Sequence, residues 1–597
     1  MGADPKVAKF RISIVTVPVW TRSALRVLTL AALYAVLVGW LTWPLVAYIT
    51  TLHPSLGPGS DFDSLYTAWA LAWESHVLSS GSLAFANANI YYPEPGALFY
   101  GPAAFGALPF FAPVYLLTGN PALASNLLFL GCLTLTAAMV HLVVHSWTRL
   151  HTAGLVAAVA ILANRWLLWA FVPRVPQLSV LCYFPLIILL SAAPSLTWRR
   201  TTVLCLLVIA QGMADVLYIA PAVLIPLALS ALFHLAGRRT RPDGFRLLLV
   251  VAIASIVLIA VHAPYLSIVK RNPELSQQTL WKLDPLKMSL TSPWQLMEYS
   301  SPLAVATMVP ALVLTGALFA VVGWRGTPRE ASAWRHCLLW MVTGIAMSLP
   351  VNVAWHGELY ALPHRELVQS SQALSRLFSN SPRLRVGALV AVALLCGLAF
   401  AELLRHCGLT NGNAAKRFVR GGIALVLCGA MYAQYESTIG QPTYYGPRLE
   451  PAHPGEVPHD SPVLRELRQR GGPTIEVPLP PDGVAPWAHA TAMYRSTFHW
   501  QPLLNGYGSF WPAQFPDLMR TAVRLPQPEA VRELHRQAGL AFILVRKAAP
   551  AGLDDHQATQ REEWVKLAAS GGRNDLELIA ADEDLLLFHV MDEGGPR

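Results

Sequence analysis

The chain has 597 residues, 54% of them hydrophobic and only 13% charged, with a mean hydropathy of +0.43. Soluble domains carry about a quarter charged residues, so composition excludes a water-soluble enzyme, a disordered chain and a disulfide-stapled secreted fold. The net charge of +9 is uneven: residues 1–440 hold 29 Lys and Arg against 15 Asp and Glu, and residues 441–597 hold 15 against 20.

The apolar residues fall in runs of membrane-crossing length, which predicts a polytopic α-helical membrane protein. A basic segment, 1–23, carries Lys6, Lys9, Arg11 and Arg22. The first span, about 24–49, is too long for a cleaved signal and reads as a signal anchor. Ten more are predicted near 122–146, 152–170, 178–196, 201–216, 219–237, 247–267, 302–323, 334–350, 386–404 and 419–436. With a cytoplasmic N-terminus, the inner segments hold 19 of the 29 Lys and Arg of residues 1–440, the bias expected of cytoplasmic loops in a plasma membrane. The basic residues thus serve topology, and no nucleic-acid partner follows from them. The run Pro102–Leu117 reads as a surface-lying or re-entrant helix, because counting it as a span would invert every later loop. The abundance of Arg over Lys, 36 against 8, points to a GC-rich bacterial genome.

The long segments lie outside: 50–121, 268–301, 351–385 and the tail, 441–597. The spans between them are clean Leu, Ala and Val, without the midplane charges of a channel or pump. Chemistry is therefore expected at the outer membrane surface. The first outer loop runs from His53 through Asp61-Phe62-Asp63-Ser64-Leu65-Tyr66. Asp63 is placed to cap a helix reaching about Leu78, with Trp69 and Trp73 at headgroup level, as in an interfacial amphipathic helix. Two carboxylates two residues apart can hold a divalent cation, or one can act as a base that the other orients. The plainer alternative is a cap and a solvated neighbour.

The uncleaved first span, the long outer loop and its acidic-x-acidic element resemble the GT-C superfamily of membrane glycosyltransferases. Asp61–Tyr66 is similar to the first-loop motif of oligosaccharyltransferase catalytic subunits. Asn87-Ala88-Asn89-Ile90-Tyr91-Tyr92-Pro93 resembles a stretch of bacterial members related to the protein mannosyltransferases. The resemblance implies a GT-C-like membrane domain, 24–440. It also implies inverting transfer of a sugar from a polyprenyl-phosphate donor to a glycan, lipid or protein acceptor on the outer face. Asp61 or Asp63 would be the base or metal ligand, with Tyr66 beside them. No second D-x-D stands in a later outer loop, which favours a metal-independent donor over a divalent cation.

Three further places are candidates for substrate contact. Arg174 and Gln177 lie in an outer turn, where the same resemblance implies polar residues facing the site; ordinary interfacial anchoring is the alternative. Asp215 lies near the outer end of a span, where a carboxylate is costly, four residues after Gln211. Arg383 and Arg385 open the tenth span and could clamp a lipid phosphate, or simply snorkel beside headgroups. His141 and His145 lack the Glu of a metal motif and read as structural.

The tail reads as an extracytoplasmic α/β domain. Its elements are a helix over Ser461–Arg470, a strand over Thr474–Pro478, a second helix–Gly–strand at Pro528–Arg546 and a terminal hairpin. Between them Tyr494–Trp511 is rich in aromatics and Gly, a loop able to stack on sugars or to pack on the membrane domain. Two functions from different classes remain: a GT-C-like transferase, and a non-enzymatic scaffold or lipid-linked-glycan transporter of the same architecture.

Overall fold

The computed structural model describes residues 19–55, 62–164, 166–170, 172–271, 308–349, 351–355, 358–370, 381–411, 413–439, 453–547 and 555–591. The helices of the first part are α1 (Val19–Leu41), α2 (Phe62–Ser79), α3 (Leu108–Thr118), α4 (Pro121–Thr148), α5 (His151–Leu162), α6 (Phe184–Ser191) and α7 (Trp198–Gly212). They continue as α8 (Ile219–Ala236), α9 (Arg241–Arg271), α10 (Met308–Gly323), α11 (Pro328–Met347), α12 (Arg365–Gln369), α13 (Val386–His406) and α14 (Ala414–Ile439). Among the described residues, four helical stretches are long and apolar enough to cross a membrane: Pro121–Thr148, Ile219–Ala236, Arg241–Ile268 and Arg383–His406. The run Pro102–Leu117 holds all but the last residue of the short helix α3.

Side-chain oxygens start several helices by accepting otherwise orphaned backbone N–H groups. Asn120 does so for α4 and Thr197 for α7, and at α11 Thr327 and Glu330 form a reciprocal capping box. α13 is buried along its length and forms the centre of the bundle. Small residues let its neighbours approach, the usual device of helices packed in lipid. A Cβ on Gly316 of α10 would lie 2.4 Å from Ala399 Cβ, and one on Gly344 of α11 would lie 2.8 Å from Ala388 Cβ.

The C-terminal part adds α15 (Pro462–Arg470), α16 (Pro486–Ser496), α17 (Phe515–Ala522), α18 (Pro528–Ala538) and α19 (Asp555–Ala569). Its strands β5 (Thr474–Val477), β6 (Phe542–Arg546), β7 (Gly572–Arg573), β8 (Leu576–Ala581) and β9 (Leu585–Val590) form one sheet, in the order β5-β6-β9-β8-β7. β5 and β6 are parallel, with Ile475 opposite Ile543, and the other pairs are antiparallel. Gly539 closes α18 in the left-handed conformation (φ 62°), where a side chain would be strained.

This sheet does not stand apart from the long loop 50–121. One hydrophobic core joins Ile475, Val477, Ile543 and Phe588 to Trp69, Ile90, Tyr91 and Tyr100 of that loop. β1 (Leu52–Ser55) pairs antiparallel with β4 (His453–Glu456). Tyr91 N donates to Asn505 O at 3.1 Å, Tyr92 N to Leu503 O at 3.0 Å, and Phe510 N to Tyr100 O at 2.9 Å. The aromatic, Gly-rich stretch therefore packs on the loop. Glycine is required at residue 506, because a Cβ there would lie 2.2 Å from the Tyr91 ring. Trp69 is fully buried and donates to Asn89 Oδ1 at 3.1 Å, while Trp73 donates to Phe85 O. The interfacial placement expected of α2 is thus corrected: packing between the loop and the C-terminal part encloses both faces of the helix.

Candidate active site

Asp63 lies in the first turn of α2, half-buried. The helix begins at Phe62, so Asp63 sits inside the first turn rather than at the capping position. Its carboxylate is favoured there by the helix N-terminus. Its partner comes from the C-terminal part: Tyr507 Oη donates to Asp63 Oδ1 at 2.9 Å. The Tyr507 ring meets Phe62 and Tyr66 edge-on, with centroids 5.5 and 5.7 Å apart. Burial and then the Asp63 charge push the Tyr507 phenol well above its usual range, so it stays a donor. Asp61 lies outside the described residues.

Tyr66 is enclosed. Its hydroxyl abuts Gly101 and has no hydrogen-bond partner among the described residues. Burial, and then the charge of Glu74, push its phenol far up. It shapes the site through its ring.

A recess opens on the adjoining face of α2. Ser64, Leu65 and Ala68 line it with His53 and Pro54 of β1, Ser125 and Asn126 of α4, Pro173, Pro176, Val457 and Tyr494. Asn126 Nδ2 fixes its rim by donating to Ile49 O at 2.8 Å and Leu52 O at 2.7 Å. The turn of Arg174 and Gln177 places its prolines, Pro173 and Pro176, on the recess. Gln177 is buried, and its Oε1 has no partner among the described residues.

Asp215, Arg383 and Arg385 form a second group. Asp215 Oδ1 accepts from Tyr218 N at 2.7 Å at the turn into α8. Arg383 interacts with the Asp215 charge, and its guanidinium lies over the Tyr218 ring at 4.9 Å. Arg385 is almost wholly buried, and its Nε donates to Ser348 Oγ at 2.5 Å. The two guanidiniums thus have different partners, and only Arg383 keeps a substantial exposed surface. The two groups are linked through α7. Gly106 N donates to Met213 O at 2.9 Å, and Gln211 Nε2 donates to Val180 O.

Sequence reasoning missed two residues. Tyr507 lies in the aromatic stretch singled out from the sequence, but its pairing with Asp63, 444 positions away, carried no local signal. Glu74 is fully buried on α2; its Oε1 accepts from Ala104 N at 3.3 Å, and its Oε2 has no partner among the described residues. Burial pushes this carboxyl up to about 8, against the opposing hydrogen bond from Ala104. A lone acid at helical spacing with Leu71 and Trp69 was the available signal. Among the described residues no group of three or more His, Cys, Asp or Glu is placed to hold a metal ion.

No family model matches the chain, and no curated protein matches it. Similar solved structures include ArnT from Cupriavidus metallidurans bound to undecaprenyl phosphate, at 13% identity and a TM-score of 0.42 over 97% of this chain and all of that one. Another is the arabinofuranosyltransferase AftD from Mycobacteria, at 13% identity and a TM-score of 0.43, covering 95% of this chain and 40% of that one. A third is the oligosaccharyltransferase of Archaeoglobus fulgidus in its apo form, at 11% identity and a TM-score of 0.41, over 88% and 69%. These neighbours are GT-C glycosyltransferases.

Proposed function

We propose that the protein is a membrane glycosyltransferase that moves a sugar from a polyprenyl-phosphate donor to a glycan, lipid or protein acceptor on the outer face, with inversion. The observation that carries this reading is the Asp63 carboxylate, set in the first turn of a helix, half-buried and held by Tyr507, with its neighbour Ser64 lining a small recess. An inverting transfer needs a base to take the acceptor hydroxyl's proton as the new sugar bond forms. The lipid phosphate leaves without a strong general acid. Asp61 or Asp63 takes the proton, with Asp61 our first choice, because Asp63 already accepts from Tyr507. Arg383 is the arginine we assign to the lipid phosphate, and Arg174, Gln177 and Asp215 to the walls of the donor path. The N-terminus lies in the cytoplasm and residues 441–597 outside, as one unit with the first loop.

The test combines a deletion strain with a purified protein. Mass spectrometry of lipid-linked sugars should show one accumulating when the protein is lost. Asp61→Asn and Asp63→Asn should each abolish transfer of that sugar while expression and melting stay near wild type, since general base catalysis typically contributes about 10²–10⁴-fold. Full activity in both variants would favour the scaffold or transporter reading.

A further inference from the structure

The helical part carries a strongly charged surface that the proposed reaction does not use. Several helix ends meet there. Ser332 Oγ of α11 donates to Ala192 O at 3.0 Å, and Leu196 N donates to Asp243 Oδ1 at 2.9 Å. His234 Nε2 of α8 stands 3.2 Å from His336 Nε2 of α11. These contacts gather the starts of α7, α9 and α11 with the end of α8. The gathered ends display Arg199, Arg200, Arg238, Arg239, Arg329 and Arg335, all exposed.

Among the described residues, none of these arginines makes an ion pair. Asp243 and Glu330 are buried and already paired, Asp243 with Arg246 at 3.3 Å and Glu330 with Arg405. Arg199, Arg238, Arg239 and Arg329 make no hydrogen bond or ion pair among the described residues. Large apolar side chains stand among these cations: Trp198 and Phe245 are each 62% exposed, and Phe233 is 48% exposed. The Arg246 guanidinium lies over the Trp198 ring at 5.4 Å.

Uncompensated cations call for a polyanion. The apolar rings decide which one, because they continue onto α8 and α9, two helices long and apolar enough to cross a membrane. Trp at such a boundary belongs at headgroup depth, with Arg reaching lipid phosphates. We propose that this surface binds the headgroups of anionic glycerophospholipids, with Trp198 and Phe245 set into the headgroup layer. The phosphates bridge the unpaired arginines, holding the ends of α7, α8 and α11 together from outside the protein. This surface is independent of the proposed reaction, since none of its residues is assigned a part in transfer.

The experiment uses the full chain in nanodiscs of phosphatidylcholine with and without phosphatidylglycerol, with retained lipids counted by native mass spectrometry. The wild type should retain phosphatidylglycerol selectively. An arginine near an anionic surface is worth roughly five-fold in affinity, so the triple variant Arg199→Gln, Arg239→Gln, Arg329→Gln should lose on the order of a hundred-fold. None of these side chains has an internal partner among the described residues, so melting in pure phosphatidylcholine should match the wild type. Trp198→Ala should weaken retention at unchanged charge. Equal retention of both lipids by the wild type would overturn the proposal. So would undiminished retention in the triple variant, or a preference of the detergent-solubilised protein for a soluble polyanion such as heparin over phosphatidylglycerol.

Discussion

Tyr507→Phe is the most informative single change at the candidate site. It deletes one hydroxyl and keeps the ring, so the edge-on contacts with Phe62 and Tyr66 remain. What is lost is the 2.9 Å hydrogen bond to Asp63 Oδ1. A hydrogen bond to a charged group is worth about 1.5–3 kcal/mol. Asp63 is half-exposed, so water replaces part of the contact and the lower end applies. At about 1.4 kcal/mol per factor of ten in rate, transfer should fall roughly ten-fold. The fall should appear in kcat with KM for the lipid donor little changed, because the contact orients a carboxylate and does not touch the lipid. Asp63→Asn keeps an acceptor oxygen for Tyr507 and should melt near wild type, yet lose transfer. The assays are steady-state transfer with the sugar-lipid identified in the deletion strain, and thermal melting of the purified protein. Wild-type kcat and wild-type melting in Tyr507→Phe would refute the claim that the C-terminal part orients Asp63.

Three further outcomes are expected. Glu74 titrates near 8 in the folded protein against about 4.5 unfolded. A raised acid stabilises fully below the unfolded value and loses that stability as pH climbs towards the folded one. At about 1.4 kcal/mol per pH unit, its burial costs on the order of 5 kcal/mol by pH 8. Glu74→Gln should therefore match the wild type near pH 4 and melt higher near pH 8; equal melting at both would show that the site is hydrated. Arg383→Lys keeps the charge beside Asp215 but not the planar contact over Tyr218, so donor binding should weaken about ten-fold by the loss of one charge-assisted hydrogen bond; normal binding would leave Arg383 a structural partner of Asp215. Single cysteines at 238 and 460, in a background without the native ones, should label from the inside and the outside respectively, and the reverse pattern would sink the proposed orientation.

Much of the local structure was legible in the chain because it is set over a few residues. Apolar runs place helices at 121–148, 219–236 and 386–406, and Ser461 and Gly539 start and stop helices through their own side-chain and backbone chemistry. Asp63 could be singled out from the stretch Asp61 to Tyr66 alone. The partners of these elements could not, because packing is decided between segments with no local pattern in common. Trp69 and Trp73 have the composition of a headgroup helix, yet the strand pairing of 52–55 with 453–456 and the docking of 500–510 bury Trp69 and half-bury Trp73. Arg383 and Arg385 look alike in sequence, but one lies over Tyr218 while the other is buried against Ser348. The sequence by itself determined the membrane character, several of the long apolar helices and the acidic loop. Only the tertiary structure joined that loop to the C-terminal sheet and gave Asp63 its tyrosine, because burying the apolar faces of two segments more than 400 residues apart is cheaper than leaving either in water.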